Sequence, residues 1–134
     1  MDAQVDLPLD PRSAGRARQF IRTTLGQWRL ADLDADAELM VSELVTNALL
    51  YAQSAITVQA TVRREGGRWS LRVGVVHDSS GVPHLSTFAD LVTTGRGLGI
   101  VRGLATNHGV AMNGSGKTFW FELAAPPGWQ EQSH

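Results

Sequence analysis

In the stretch Ser42-Glu-Leu-Val-Thr-Asn-Ala-Leu-Leu-Tyr-Ala52, Glu43 and Asn47 are four residues apart. On a helix that spacing brings both side chains to one face. Such a pair can point into a groove and serve a ligand, or be an ordinary solvated pair on a helix surface. Asp78 closes the apolar run before Ser79-Ser-Gly-Val-Pro83. A carboxylate at a strand end can accept a hydrogen bond from an exocyclic amine such as adenine's, and it would disfavour the carbonyl of guanine. The alternative is a turn-initiating aspartate. In Thr93-Thr-Gly-Arg-Gly-Leu-Gly-Ile-Val101, Gly95, Gly97 and Gly99 let the backbone approach a ligand, and the loop leads into a helical pattern. Amide groups and a helix N-terminus suit phosphate oxygens. A glycine hinge ahead of a helix would read the same way.

A further glycine-rich stretch, Asn113-Gly-Ser-Gly-Lys-Thr118, imitates a P-loop and is not one. The P-loop pattern puts a glycine where this chain has Ala111, and it requires a helix after the Lys-Thr pair. Here Phe119-Trp-Phe-Glu-Leu123 follows, an aromatic-rich run that suits a strand. Val110 and Met112 form another short strand before the glycines. A hairpin turn at Asn113 to Gly116 accounts for the glycines, with Lys117 as a hairpin residue.

The bulk properties narrow the setting. A chain of 134 residues has room for one core. The formal net charge of −1 gives no broad electrostatic case for a nucleic acid or an anionic membrane as partner. Cysteine is absent, which removes disulfides and thiolate metal sites. No apolar signal core or membrane-length run is visible, so a cytoplasmic protein is expected. His77, His84, His108 and His134 lack metal-ligand spacing. His77, Asp78 and Ser79 cannot form a triad, because neighbours on a strand face opposite ways. The histidines are therefore expected to be structural or solvent-exposed.

The elements that must position these residues follow from periodicity. Val5 to Leu9 reads as an edge strand. Pro11 to about Trp28 reads as a helix with Ala14, Ala17, Phe20, Ile21 and Leu25 along its apolar stripe. A second helix, with acidic residues in its first turn, runs to about Ala52 and buries Met40, Val41, Leu44, Val45, Ala48, Leu49 and Ala52. The Glu43/Asn47 pair then points away from that stripe. Two strands, residues 55–65 and 68–78, flank Gly66-Gly67, a strong hairpin signal. Gly97 to about Thr106 reads as a third helix with Ile100, Val101, Leu104 and Ala105 buried. The last hairpin completes one domain, with a core at about 10–125 and a flexible tail at 126–134. Helices on one side of a mixed, mostly antiparallel sheet make a two-layer α/β (α+β) sandwich.

A helix with Glu and Asn, a strand-end Asp and a glycine loop into a helix resembles, in that order, the GHKL (Bergerat-fold) ATPase and kinase superfamily. The likeness is closest to the RsbW/SpoIIAB-like anti-sigma-factor serine kinases and covers about residues 10–125. Ser42 to Ala48 resembles their N box, Gly95 to Val101 their second glycine box, and Gly116 to Leu123 their closing strand. The resemblance implies ATP and Mg²⁺ as cofactors, with Asn47 binding the metal and Glu43 acting as general base on a protein serine. It further implies that Asp78 holds the adenine amine and that Thr118 lies near it. Gly95, Arg96, Gly97, Leu98 and Gly99 would then wrap the phosphates. The implied partners are an anti-sigma-factor antagonist with a STAS domain and a sigma factor, with a homodimer as a further expectation. The first glycine box departs from the family's Asp-x-Gly-x-Gly: Asp78 is followed by Ser79, Ser80, Gly81 and Val82. That departure motivates a rival expectation, a binding module of the same fold with weak or no phosphoryl transfer.

Overall fold

The computed structural model describes residues 1–52, 54–78, 103–113 and 116–131. Strand β1 (Asp2–Leu7) is followed by helix α1 (Ser13–Gln27), a 3-10 turn at Ala31–Leu33 and helix α2 (Asp34–Tyr51). Strands β2 (Ile56–Glu65), β3 (Arg68–Asp78), β4 (Asn107–Asn113) and β5 (Gly116–Ala124) complete the order. They form a five-stranded sheet ordered β1-β2-β3-β5-β4, with every neighbouring pair antiparallel. Both helices pack on one face, α1 against β1 and β2, α2 against β3 and β5. This is the expected two-layer α+β sandwich, and β1 takes the expected edge position.

Local chemistry explains where each element stops. Helix α1 begins two residues later than Pro11, because Asp10 and Pro8 organise the approach. Asp10 Oδ1 accepts from the Arg12 amide at 2.8 Å, and Ser13 Oγ donates to the Pro8 carbonyl at 2.6 Å. At its other end the Leu30 amide donates to the Leu25 carbonyl at 2.8 Å and the Arg29 amide to Gly26. These two bonds make a Schellman cap. Arg29 occupies the left-handed position at φ 58°, and the capping pair Leu25 and Leu30 is fully buried. In the β2–β3 hairpin, Glu65 pairs with Arg68 around Gly66 and Gly67 at φ 60° and 80°. Two positive φ values define the type I′ turn that the Gly-Gly pair signals.

The core lies between helices and sheet. Ala17, Ile21 and Leu25 of α1 and Met40, Val41, Leu44, Val45 and Ala48 of α2 meet the inward row of every second strand residue. Ala14, Phe20, Leu49 and Ala52 pack at its margin.

Two expectations change. Of the third helix, only Gly103 and Leu104 are helical among the described residues, and the rest of 97–102 lies outside them. Leu104 is 37% exposed and not buried, while Ala105 packs at the core margin. The chain end, expected to be a free tail, is docked as far as Glu131. Trp129 Nε1 donates to the Trp28 carbonyl at 3.0 Å, its ring meets Trp69 edge-on at 5.5 Å, and Glu131 pairs with the N-terminal amine at 2.9 Å. The indole thereby satisfies a carbonyl that the end of α1 leaves open.

Candidate active site

On α2, Glu43, Asn47 and Tyr51 line one flank at successive turns, and Glu38, Ser42 and Leu49 line the other. The second flank meets α1, where Arg18 Nη1 donates to Ser42 at 2.8 Å and Arg22 grips Glu38 with two bonds of 2.8 and 3.1 Å. The Glu43/Asn47 flank therefore faces the other way, over the β5–β4 side of the sheet. It lies at the border of the apolar stripe and not opposite it. Asn47 is accordingly buried, only 3% exposed, and Glu43 is half-buried.

The Asn47 amide nitrogen donates to the Glu43 carbonyl at 2.8 Å, the backbone group one turn back. That bond fixes which end of the amide is which, so Oδ1 is the atom with which this side chain can serve a cation. An amide oxygen suits a hard cation that keeps most of its waters, and Mg²⁺ fits this donor. Among the described residues no group of three His, Asp, Glu or Cys side chains could hold a metal alone.

The sheet beneath this flank has two faces, and the registers assign residues to them. Leu71, Val73, Val75 and His77 of β3 lie opposite Leu123, Phe121, Phe119 and Lys117 of β5. All are buried, so this row faces the helices. The alternate row holds Arg72, Gly74, Val76 and Asp78 against Glu122, Trp120, Thr118 and Gly116. A Cβ on Gly74 would come 3.1 Å from Thr118 Cγ2, which puts the threonine on this outer row. Farther along, the Arg72 guanidinium lies 3.9 Å from the centre of the Trp120 ring.

The sequence-predicted site residues therefore fall into three groups. Glu43 and Asn47 come together on one flank of α2. Asp78 and Thr118 are near each other on neighbouring strands but belong to the outer row. Gly95, Arg96, Gly97, Leu98 and Gly99 lie outside the described residues.

The profile of the histidine kinase-like ATPase domain matches residues 7–122. The chain belongs to that family. No curated protein matches it. An ATPase domain implies ATP as ligand, and the match runs from the last residue of β1 through both helices and β2, β3 and β4 almost to the end of β5. Two further polar residues belong to the inward row: His77, expected to be structural or solvent-exposed, and Lys117, expected to be a hairpin residue. They face each other across β3 and β5 on the helix side, 4% and 6% exposed. The His77 ring stacks on Phe119 at 5.7 Å and 9°. Burial pushes its pKa below the ordinary value, the nearby Lys117 ammonium adds to that, and Asp78 opposes it. His77 and Lys117 continue the two-residue period of the apolar positions beside them.

Proposed function

We propose that this ATPase domain is an ATP-dependent protein serine kinase of the anti-sigma-factor type. It would phosphorylate a STAS-domain antagonist and sequester a sigma factor, and so regulate transcription. The observation that carries this reading is the placement of Glu43 beside a buried, backbone-anchored Asn47 on the flank of α2 that α1 leaves uncovered. A carboxylate next to an amide oxygen is what hydroxyl phosphorylation asks of a protein, because phosphoryl transfer needs mainly alignment and charge neutralisation.

In this mechanism Glu43 accepts the proton of the substrate serine as its oxygen attacks the terminal phosphate, and ADP leaves. Asn47 would hold Mg²⁺, which when bound neutralises charge on the phosphate oxygens. The amides of Gly95, Gly97 and Gly99 donate to the phosphates, with Arg96 adding positive charge. Partner choice would follow the nucleotide state and the phosphorylation of the substrate. A homodimer is part of the same proposal.

The deciding experiment compares wild type with Glu43→Ala, using radiolabelled ATP and the STAS-domain proteins of the same organism. We expect the variant to bind ATP as wild type does and to transfer at least a hundredfold more slowly, on the order of a lost general base. Unchanged transfer would remove Glu43 from the base role.

A second reading keeps the fold and drops the transfer. The altered first glycine box favours it, and so does the outer-row position of Asp78. In that case the protein acts by binding its partners, and no STAS-domain protein becomes labelled.

A further inference from the structure

We propose that the solvent-facing ridge of α2, from Leu39 past Glu43 to Leu50, with Leu9 and Pro11 beside it, is where the acceptor protein docks. Its occupant is a folded protein whose serine sits in an apolar patch of surface. The inference rests on the kinase reading above and adds to it the surface that chooses the substrate.

The direction of approach follows from the order of side chains around α2. Successive helical residues turn by about 100°. Asn47 therefore lies about 40° to one side of Glu43, and Leu50, Leu39 and Thr46 lie about 20°, 40° and 60° to the other. Exposure rises from the first side to the second. Asn47 is buried, Glu43 is half-buried, Leu39 and Leu50 are 42% and 49% exposed, and Thr46 is exposed too. A nucleotide served by Asn47 occupies the buried side of Glu43. A hydroxyl that gives its proton to Glu43 must then arrive from the other side, across the leucines. The serine oxygen forms its bond to the terminal phosphate as that proton moves to Glu43 and the bond to ADP breaks. The acceptor has to rest on this ridge while that happens.

The ridge has the make-up of a docking surface. Leu9, 45% exposed, joins Leu39 and Leu50 among the large apolar side chains that the described residues leave in solvent. Leu39 and Leu50 stand about 16 Å apart along the helix, with Glu43 between them. Next to Leu50 a groove of 330 Å³ is lined by Leu9, Asp10, Pro11, Thr46, Leu49 and Leu50. Arg12 holds Asp10 with bonds of 2.8 to 3.1 Å, so a charged pair borders the apolar centre. Single exposed leucines are ordinary, whereas a row of them with a polar border marks a protein interaction site.

Glu43 in the middle of the row singles out the acceptor as the occupant. A base and a transferring phosphate work better once water is kept away, and ATP is then guarded against hydrolysis. Leucines on either side of Glu43 make that seal only when the acceptor meets them with apolar side chains of its own. A peptide chosen by its charges would leave them wet.

Steady-state phosphorylation of the same organism's STAS-domain proteins, at varied concentration, tests this on wild type, Leu39→Ser and Leu50→Ser. Calorimetry with Mg-ATP, sedimentation velocity and thermal unfolding accompany each protein. Both leucines are close to half exposed, so serine should leave the fold intact, and either variant alone suffices for the test. We expect the KM for the acceptor to rise about tenfold or more, as truncation at the centre of an interface does. ATP affinity should stay within about twofold, and kcat within about threefold. A KM within about twofold of wild type overturns the inference and leaves the kinase reading intact. A tenfold loss of ATP affinity overturns it as well, because the leucines would then serve the nucleotide. So does a wild-type dimer that the substitution splits, because the ridge would then belong to a second copy. Wild type that binds ATP and labels no STAS-domain protein removes the kinase reading and this inference together.

Discussion

Single residues decide more of this domain's chemistry than its composition does. Asp34 and Glu38 occupy adjacent turns at the start of α2, with Arg22 of α1 on Glu38. Burial, and then the hydrogen bond and the charge of Glu38, raise the Asp34 pKa to about 6, with Arg22 opposing. Glu38 moves the other way, lowered first by Arg22 and then by Asp34. Asp34 thus keeps its proton to higher pH in the folded protein than in the unfolded chain. A carboxyl whose folded pKa is raised contributes stability below its ordinary value of 3.8, and loses that contribution as pH rises through about 6. Asp34→Asn imitates the protonated form at every pH. Its denaturant midpoint should exceed that of wild type at pH 8 and match it at pH 4. Equal midpoints at pH 8 would show that Asp34 is ionised in the folded protein without cost.

At the scale of elements, the helices and hairpins were legible because their signals are local. The Gly66-Gly67 turn needs two left-handed residues and has them, and the aromatic run after Lys117 is a strand and no P-loop helix. The end of α1 was placed within a residue although its cap is unusual. Arginine holds the left-handed position that glycine normally takes, at a cost of roughly 1–2 kcal/mol. Arg29→Gly should therefore stabilise the protein by about 0.5–1 kcal/mol, once glycine's greater freedom in the unfolded chain is subtracted. Urea unfolding measures this, and a destabilised variant would mean that the arginine side chain contributes more than its backbone costs. What escaped the reading was the phase of the strands at their ends. Asp78 drew attention as a carboxylate beside a loop, but Leu71, Val73 and Val75 place His77 in the inward row. On a strand one position is the other face, so residue type alone does not give the face that a strand-end residue takes.

At the scale of the whole molecule, the distribution of cover over the sheet defines where function can lie. Helices α1 and α2 cover β1, β2, β3 and β5, and the Glu43/Asn47 flank looks over the side toward β4. No helix among the described residues is long and apolar enough to cross a membrane. The docking of Trp129 against Trp28 and Trp69 was invisible in the sequence. The run Ala125-Pro-Pro-Gly128 looks like the start of a loose end, and only the tertiary fold brings residue 129 back to residue 28. The glycine loop was legible as a motif, because its three glycines alternate over five residues.

The account turns on Asn47 as the residue that ties Mg²⁺ and nucleotide to α2. Calorimetric titration of wild type and Asn47→Ala with ATP, with and without Mg²⁺, tests it most directly. Wild type should bind ATP in a Mg²⁺-dependent way. The variant should stay folded, less stable by about 1 kcal/mol for the hydrogen bond lost to Glu43, and lose the Mg²⁺-dependent binding. Equal, Mg²⁺-independent affinity in both proteins would contradict the account.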